Sequence, residues 1–140
     1  MVTVDEAVVF EWCGAFTNPE VNRLHAEAFG TRLFDESEWN WRELTARHSL
    51  GWVTARRGED LVGFANLVWD GLVHAWIQDV MVAVAARGQR IGVRVVHMAR
   101  DAACRAGCDF FHVDFEEPLR HFYIDECGFE SVCGGLMQLR

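Results

Sequence analysis

The chain has 140 residues, 51% of them apolar, and a formal net charge of −8. That length suits a single domain over residues 1–140 with a core of its own, and the apolar content argues against disorder. No apolar run approaches the ~18 residues of a membrane helix, and an acidic chain without a basic stripe is no binder of nucleic-acid backbones.

An acidic surface suits a cationic partner such as an amine better than an anion. All 13 basic residues are Arg, and a lysine-free chain fits a GC-rich bacterial genome. Residues 1–6 carry no basic run ahead of an apolar one, so no secretory leader is expected and the chain is read as cytoplasmic. The five cysteines form no Cys-x-x-Cys pair and are read as free thiols. Cys104 and Cys108, near His97 and His112, are too loosely spaced for zinc, and no metal is expected.

Residues 7–12 read as a first strand. Thr17-Asn18-Pro19-Glu20 is a helix start with a cap, a proline in the first turn and a capping-box Glu. Val21, Leu24 and Ala28 then share one helix face, and Gly30 closes it. A loop over 29–38 leads to a second helix from Ser37 carrying Trp41, Leu44 and His48. Strands follow at 51–56, 61–69 and 72–84, separated by Arg57-Gly58-Glu59-Asp60 and by Asp70-Gly71, a hairpin signal.

Residues 80–92, VMVAVAARGQRIG, take an apolar strand into a basic glycine-containing turn. A helix over 89–106 opens at once, with Ile91, Val95, Met98, Ala99 and Ala102 at three-to-four spacing. A helix start carries roughly +0.5 charge and favours phosphate. Arg87, Arg90 and Arg94 add three cations there. No Gly-Lys-Ser/Thr follows, so this is no P-loop, and the G-x-G-x-x-G spacing of dinucleotide sites is absent. An ordinary strand-to-helix turn with solvated arginines is the other reading.

A buried strand at 109–115, a helix at 119–126 and a last strand at 134–139 complete a β–α–α–β–β–β–α–β–α–β order. This is an α/β fold with a mixed, mostly antiparallel sheet flanked by helices. The last helix runs into Phe122-Tyr123-Ile124-Asp125-Glu126-Cys127-Gly128-Phe129, which holds the only tyrosine in the chain.

The two motifs together resemble the GNAT superfamily of N-acetyltransferases. Arg87 and Gly92 match the ends of that family's Arg/Gln-x-x-Gly-x-Gly/Ala turn, while Arg90 stands at its first glycine. The resemblance implies the same element order and a site for acetyl-CoA. Backbone amides of Arg87, Gly88, Gln89, Arg90, Ile91, Gly92 and Val93 would cradle the pyrophosphate. A bulge in the preceding strand would let Met81 and Val82 pair with pantetheine. Tyr123 would protonate the leaving thiolate, a task that suits a phenol of pKa about 10; packing of the helix on the sheet is its other reading.

The resemblance further implies a carboxylate base near the bulge. Asp79 is the first candidate, with Asp114 and Glu116 second; His74, His112 and His121 are read as ordinary histidines. Trp39, Trp41, Phe29 and Phe34 would line a pocket for an aromatic or apolar amine, or simply pack helices. Asp35, Glu36 and Glu38 would attract a cation there. The expected partner is a small-molecule amine or a peptide amine, with no nucleic acid and no membrane; a homodimer is compatible with this. The expected activity is acetyl-CoA-dependent N-acetyl transfer by direct attack in a ternary complex. A non-catalytic acyl-CoA-binding module and a structural dimer subunit with an empty cleft are the alternatives.

Overall fold

The computed structural model describes residues 6–140. The expectation of no secretory leader rests mostly on residues 1–5, outside the described residues. In chain order come β1 (Val8–Trp12), α1 (Asn18–Phe29), α2 (Trp41–His48), β2 (Ser49–Arg57), β3 (Asp60–Trp69), β4 (His74–Val82), α3 (Ile91–Arg105) and β5 (Phe110–His112). A 3₁₀ turn, Glu117–Leu119, and a π-helical turn, His121–Glu126, follow β5. The sheet order is β1-β2-β3-β4-β5, antiparallel through β4 and parallel between β4 and β5.

The pleat of β3 and β4 sends alternate residues to two cores. On one face Phe64 and Met81 pack with Val21, Leu24 and Trp41 from α1 and α2. On the other, Ala65, Leu67, Ala75 and Ile77 meet Ile91, Val95, Val96 and Ala99 of α3. Each fully buried Val, Ile or Leu is worth about 1.5–3 kcal/mol. The three-to-four spacing of α3 therefore anchors its first turn firmly against the sheet. Among the described residues no helix is long and apolar enough to cross a membrane.

α1 starts as its sequence dictates. Thr17 caps Glu20 N–H, and the Glu20 carboxylate accepts from Thr17 N–H at 3.0 Å. Arg56 of β2 donates to both Glu20 oxygens, at 2.7 and 3.0 Å. That bond, with help from Thr17, holds the Glu20 carboxyl at about 2, below its usual 4.5. A depressed carboxyl adds stability that is complete above 4.5 and lost as pH falls toward 2. Glu20→Gln is expected to lower unfolding free energy by about 1 kcal/mol at pH 7. Denaturant titrations should find that gap closing as the pH approaches 2.

Several boundaries differ from the sequence expectation. α2 begins at Trp41 rather than near Ser37, because the Asn40 side chain caps Glu43 N–H at 2.9 Å. Ser37 instead bonds the Asp35 carboxylate at 2.6 Å, inside the loop. β4 starts at His74, since the Asp70 carboxylate holds Leu72 and His74 N–H in the turn at 2.8 and 3.1 Å. β5 is three residues long and half-exposed rather than a buried strand over 109–115, because it pairs only with His74–Trp76 of β4. The last strand is a correction: residues 128–140 form no ladder, and Val132, Leu136, Met137 and Leu139 are all exposed. Alternation without a paired edge leaves the backbone bonds to water, so no strand forms.

Candidate active site

β4 carries a bulge. Asn66 faces Gln78 and Phe64 faces Met81, so Ala65 falls opposite both Asp79 and Val80. Asp79 absorbs the extra residue with φ +56°, a left-handed conformation that Asp tolerates better than most side chains. Beyond Trp76, β4 parts from β5, and a groove of about 530 Å³ opens between the strand and the segment after β5. That is within the ordinary range for small-molecule sites, roughly 300–1,000 Å³.

Val80 and Val82 form one wall, Leu119, Phe122 and Tyr123 the other. Ala28 and Phe29 at the end of α1 flank the mouth. The far end is the turn, where Arg87, Gly88, Arg90, Ile91, Gly92 and Val93 line the space. No side chain caps α3, so its first N–H groups have no partner within the helix and face the groove end. Arg90 is the residue before that helix and takes φ +61°, which explains why α3 starts at Ile91 and not at 89. An L-residue there costs roughly 1–2 kcal/mol that glycine would not. The chain thus keeps the glycine-like backbone while gaining a cation.

Gly92 sits where α3 meets the opposite wall. A Cβ on it would lie 3.0 Å from Cζ of Phe122 and 3.6 Å from Val82. Close contact between helix and wall therefore depends on this glycine. The wall itself is wound as a π turn rather than the expected α-helix. Cys127 N–H reaches back to Phe122 O at 2.9 Å, and Tyr123 O accepts from Phe129 N–H at 3.1 Å. Tyr123 is held there by Phe115 and Phe122, with ring centroids 5.4 and 4.8 Å away. Burial first, and Cys127 next, push its phenol up to about 12.

The other expected residues divide clearly. Met81 points into the α1-side core, is fully buried and lines no part of the groove, whereas Val82 does line it. The Gln89 side chain bonds Arg57 instead of lining the groove. Arg87 lines it while also donating to Ala28 O at 3.1 Å. Arg94 is a correction: its guanidinium lies 4.0 Å over the Phe10 ring, one helical turn away from the phosphate end. Asp79 is half-buried, and desolvation raises its carboxyl above the usual value, against a smaller opposing pull from His25. Asp79 precedes Val80 of the groove wall without itself lining the groove, and the exposed Asp114 and Glu116 line no part of it either; the carboxylate in the lining is Glu126, which sequence reasoning did not single out. His74 and His112 bond each other at 2.8 Å, and His121 bonds Asp125 at 2.9 Å. Among the described residues no group of three or more His, Cys, Asp or Glu gathers as for a metal. Sequence reasoning missed Ala28 and Leu119, which reach the groove only through tertiary packing.

The Acetyltransferase (GNAT) family model matches residues 18–129, most of the chain and all of the groove. The chain belongs to the GNAT family. No curated protein matches it by sequence. Among solved structures, a probable acetyltransferase from Staphylococcus aureus is 18% identical with a TM-score of 0.76, covering 96% of this chain and all of its own. Glucosamine-6-phosphate N-acetyltransferase from Arabidopsis thaliana is 16% identical at 0.71, covering 95% and 98%. AAC(6')-Iy, solved with a CoA-S-monomethyl-acetylneamine bisubstrate analog, is 12% identical at 0.72, covering 96% and 98%. Likeness at such identity speaks for the shared fold. The GNAT element order ends here at β5 and the π turn, without a further strand.

Proposed function

We propose that this GNAT protein transfers an acetyl group from acetyl-CoA to a primary amine of a small molecule or peptide, by direct attack in a ternary complex. One observation carries the reading: a single groove joins the uncapped start of α3 to Tyr123, passing the β4 bulge. The donor set suits CoA. Backbone N–H groups and Arg90 at the turn would hold the pyrophosphate, with Arg87 beside them. Backbone at Val82, which lines the groove, would pair with the pantetheine amides, adding an extended chain to the parted edge of β4. The same stretch of backbone would stabilise an oxyanion on the thioester carbonyl.

The neutral amine attacks the thioester carbonyl carbon, and its nitrogen becomes cationic and acidic as the bond forms. Asp79 takes that proton. The C–S bond then breaks, its electron pair goes to sulfur, and Tyr123 gives the thiolate a proton. The products are the N-acetyl amine and free CoA. No cysteine lines the groove except through Cys127 behind Tyr123, which fits direct transfer rather than an acyl-cysteine step.

Calorimetric titration with acetyl-CoA, with ATP as comparator, tests the donor site; acetylated amine detected by mass spectrometry tests the transfer. Thiol-reactive dyes are unsuitable, since Cys13, Cys104 and Cys133 are exposed. Asp79→Asn is expected to lower kcat/KM by about 100-fold. Because the base works deprotonated and its pKa is raised, wild-type activity should rise with pH through a value above the ordinary carboxylate range. That acid limb should vanish in the variant, and its persistence would assign the base elsewhere.

A further inference from the structure

An aromatic surface beside the bulge takes no part in the transfer as described. His25 of α1 stands at its centre. Ring centroids lie 4.9 Å away for Phe29, 5.8 Å for Phe34, 6.2 Å and stacked for Trp39, and 5.8 Å for Trp41. Trp41 is buried, but the others are not sealed. Phe29 is 48% exposed, Leu33 59% and Trp39 41%. Phe29 and Trp39 thus put two exposed rings beside His25, where an isolated one would need no explanation.

That spot adjoins the groove. Phe29 both contacts His25 and lines the groove mouth. Asp79 lies within electrostatic reach of His25 and directly precedes Val80 of the groove wall. The aromatic surface, the base and the sulfur end of the groove are therefore neighbours.

The acids around the patch are held in place, and one of them is neutralised. Glu38 pairs with Arg32. Asp35 accepts from Ser37 Oγ at 2.6 Å and from Glu38 N–H at 3.0 Å. Glu36 accepts from Asn18 Nδ2 at 2.9 Å. Arg32 is thus paired and offers little to a phosphate, while Asp35 and Glu36, held only by neutral donors, keep their charge and draw a cation toward the patch. The loop presents ring faces with carboxylates beside them. A matching ligand has a flat apolar body and a single amine on a short arm. Ring-on-ring contact adds about 0.5–1.5 kcal/mol to simple burial, and an ammonium over a ring face gains a similar amount.

We infer that the acceptor is an arylalkylamine, its ring against Phe29, Phe34 and Trp39 and its nitrogen at Asp79. The inference rests on the acetyl-transfer reading above. The class test compares kcat/KM for 2-phenylethylamine and tryptamine with that for spermidine and glucosamine-6-phosphate, at saturating acetyl-CoA. The arylalkylamines should lead by about 100-fold. Trp39→Ala and Phe34→Ala should each raise KM for 2-phenylethylamine about 10-fold, with kcat and acetyl-CoA affinity nearly unchanged. Trp39→Phe should recover most of the KM, which a general loss of structure would not allow. A lead for spermidine or the sugar phosphate, or unchanged KM in both alanine variants, overturns the class while leaving acetyl transfer intact. Failure of acetyl-CoA to bind at near-millimolar concentration overturns the transfer reading and this inference with it.

Discussion

Tyr123→Phe is expected to lower kcat by about 10²–10⁴-fold, while acetyl-CoA affinity stays nearly constant. The ring is fixed by Phe115, Phe122 and Phe129, and Phe keeps all of those contacts. Only the hydroxyl is lost, so the fold and groove remain. With its phenol pushed up to about 12, Tyr123 stays protonated across the physiological range, as a weaker acid than an ordinary phenol. The alkaline limb of kcat should accordingly lie well above pH 10. Single-turnover kinetics with quenched product analysis check the effect on chemistry alone. A variant that turns over at the wild-type rate removes Tyr123 from the reaction. Intact acetyl-CoA binding with no acetylated amine from either protein would instead favour a non-catalytic acyl-CoA module.

Gly92→Asp should weaken acetyl-CoA binding by more than about 100-fold, or ~2.7 kcal/mol. Two effects act together. The new Cβ would stand 3.0 Å from Phe122, pushing the wall that borders the groove. A carboxylate would also sit at the helix start, where a diphosphate needs positive potential. Gly92→Ala separates them, because it brings the contact without the charge. Calorimetry on both variants should find alanine intermediate. Wild-type affinity in Gly92→Asp would move the phosphate end away from α3.

Much of this groove was legible in the chain because its elements are built by local chemistry. The capping box at Thr17 and Glu20, the turn at Asp70-Gly71 and the α3 stripe each need only near neighbours in sequence. The order of strands followed from them. What stayed hidden depends on distant partners. The alternation at 134–139 resembles a strand, yet a strand exists only where an edge accepts it. Arg94 counts as a cation at the turn in one dimension, but α3 rotates it onto Phe10. Nothing in the spacing of the acids at 35–38 says that Glu38 is neutralised by Arg32 while Asp35 and Glu36 are only positioned, by Ser37 and Asn18. Arg90 posed the opposite problem: its mismatch with the family glycine is a matter of side chain, whereas the backbone keeps the left-handed turn.

The groove's two ends are made of different materials. Under the proposed reading, the donor end would rest mainly on main-chain groups, the open start of α3 and the parted edge of β4, with Gly92 as the exception. The acceptor end would rest on side chains from α1 and the loop that follows it. Main-chain groups are present whatever the residue, so mutations can accumulate along the donor end as long as the backbone path survives. Every substitution at the acceptor end, in contrast, alters which molecule is received. A lineage of such proteins is free to trade one acceptor for another without rebuilding its grip on the donor. Superposition over nearly the whole chain at only 12–18% identity is what that freedom would leave behind.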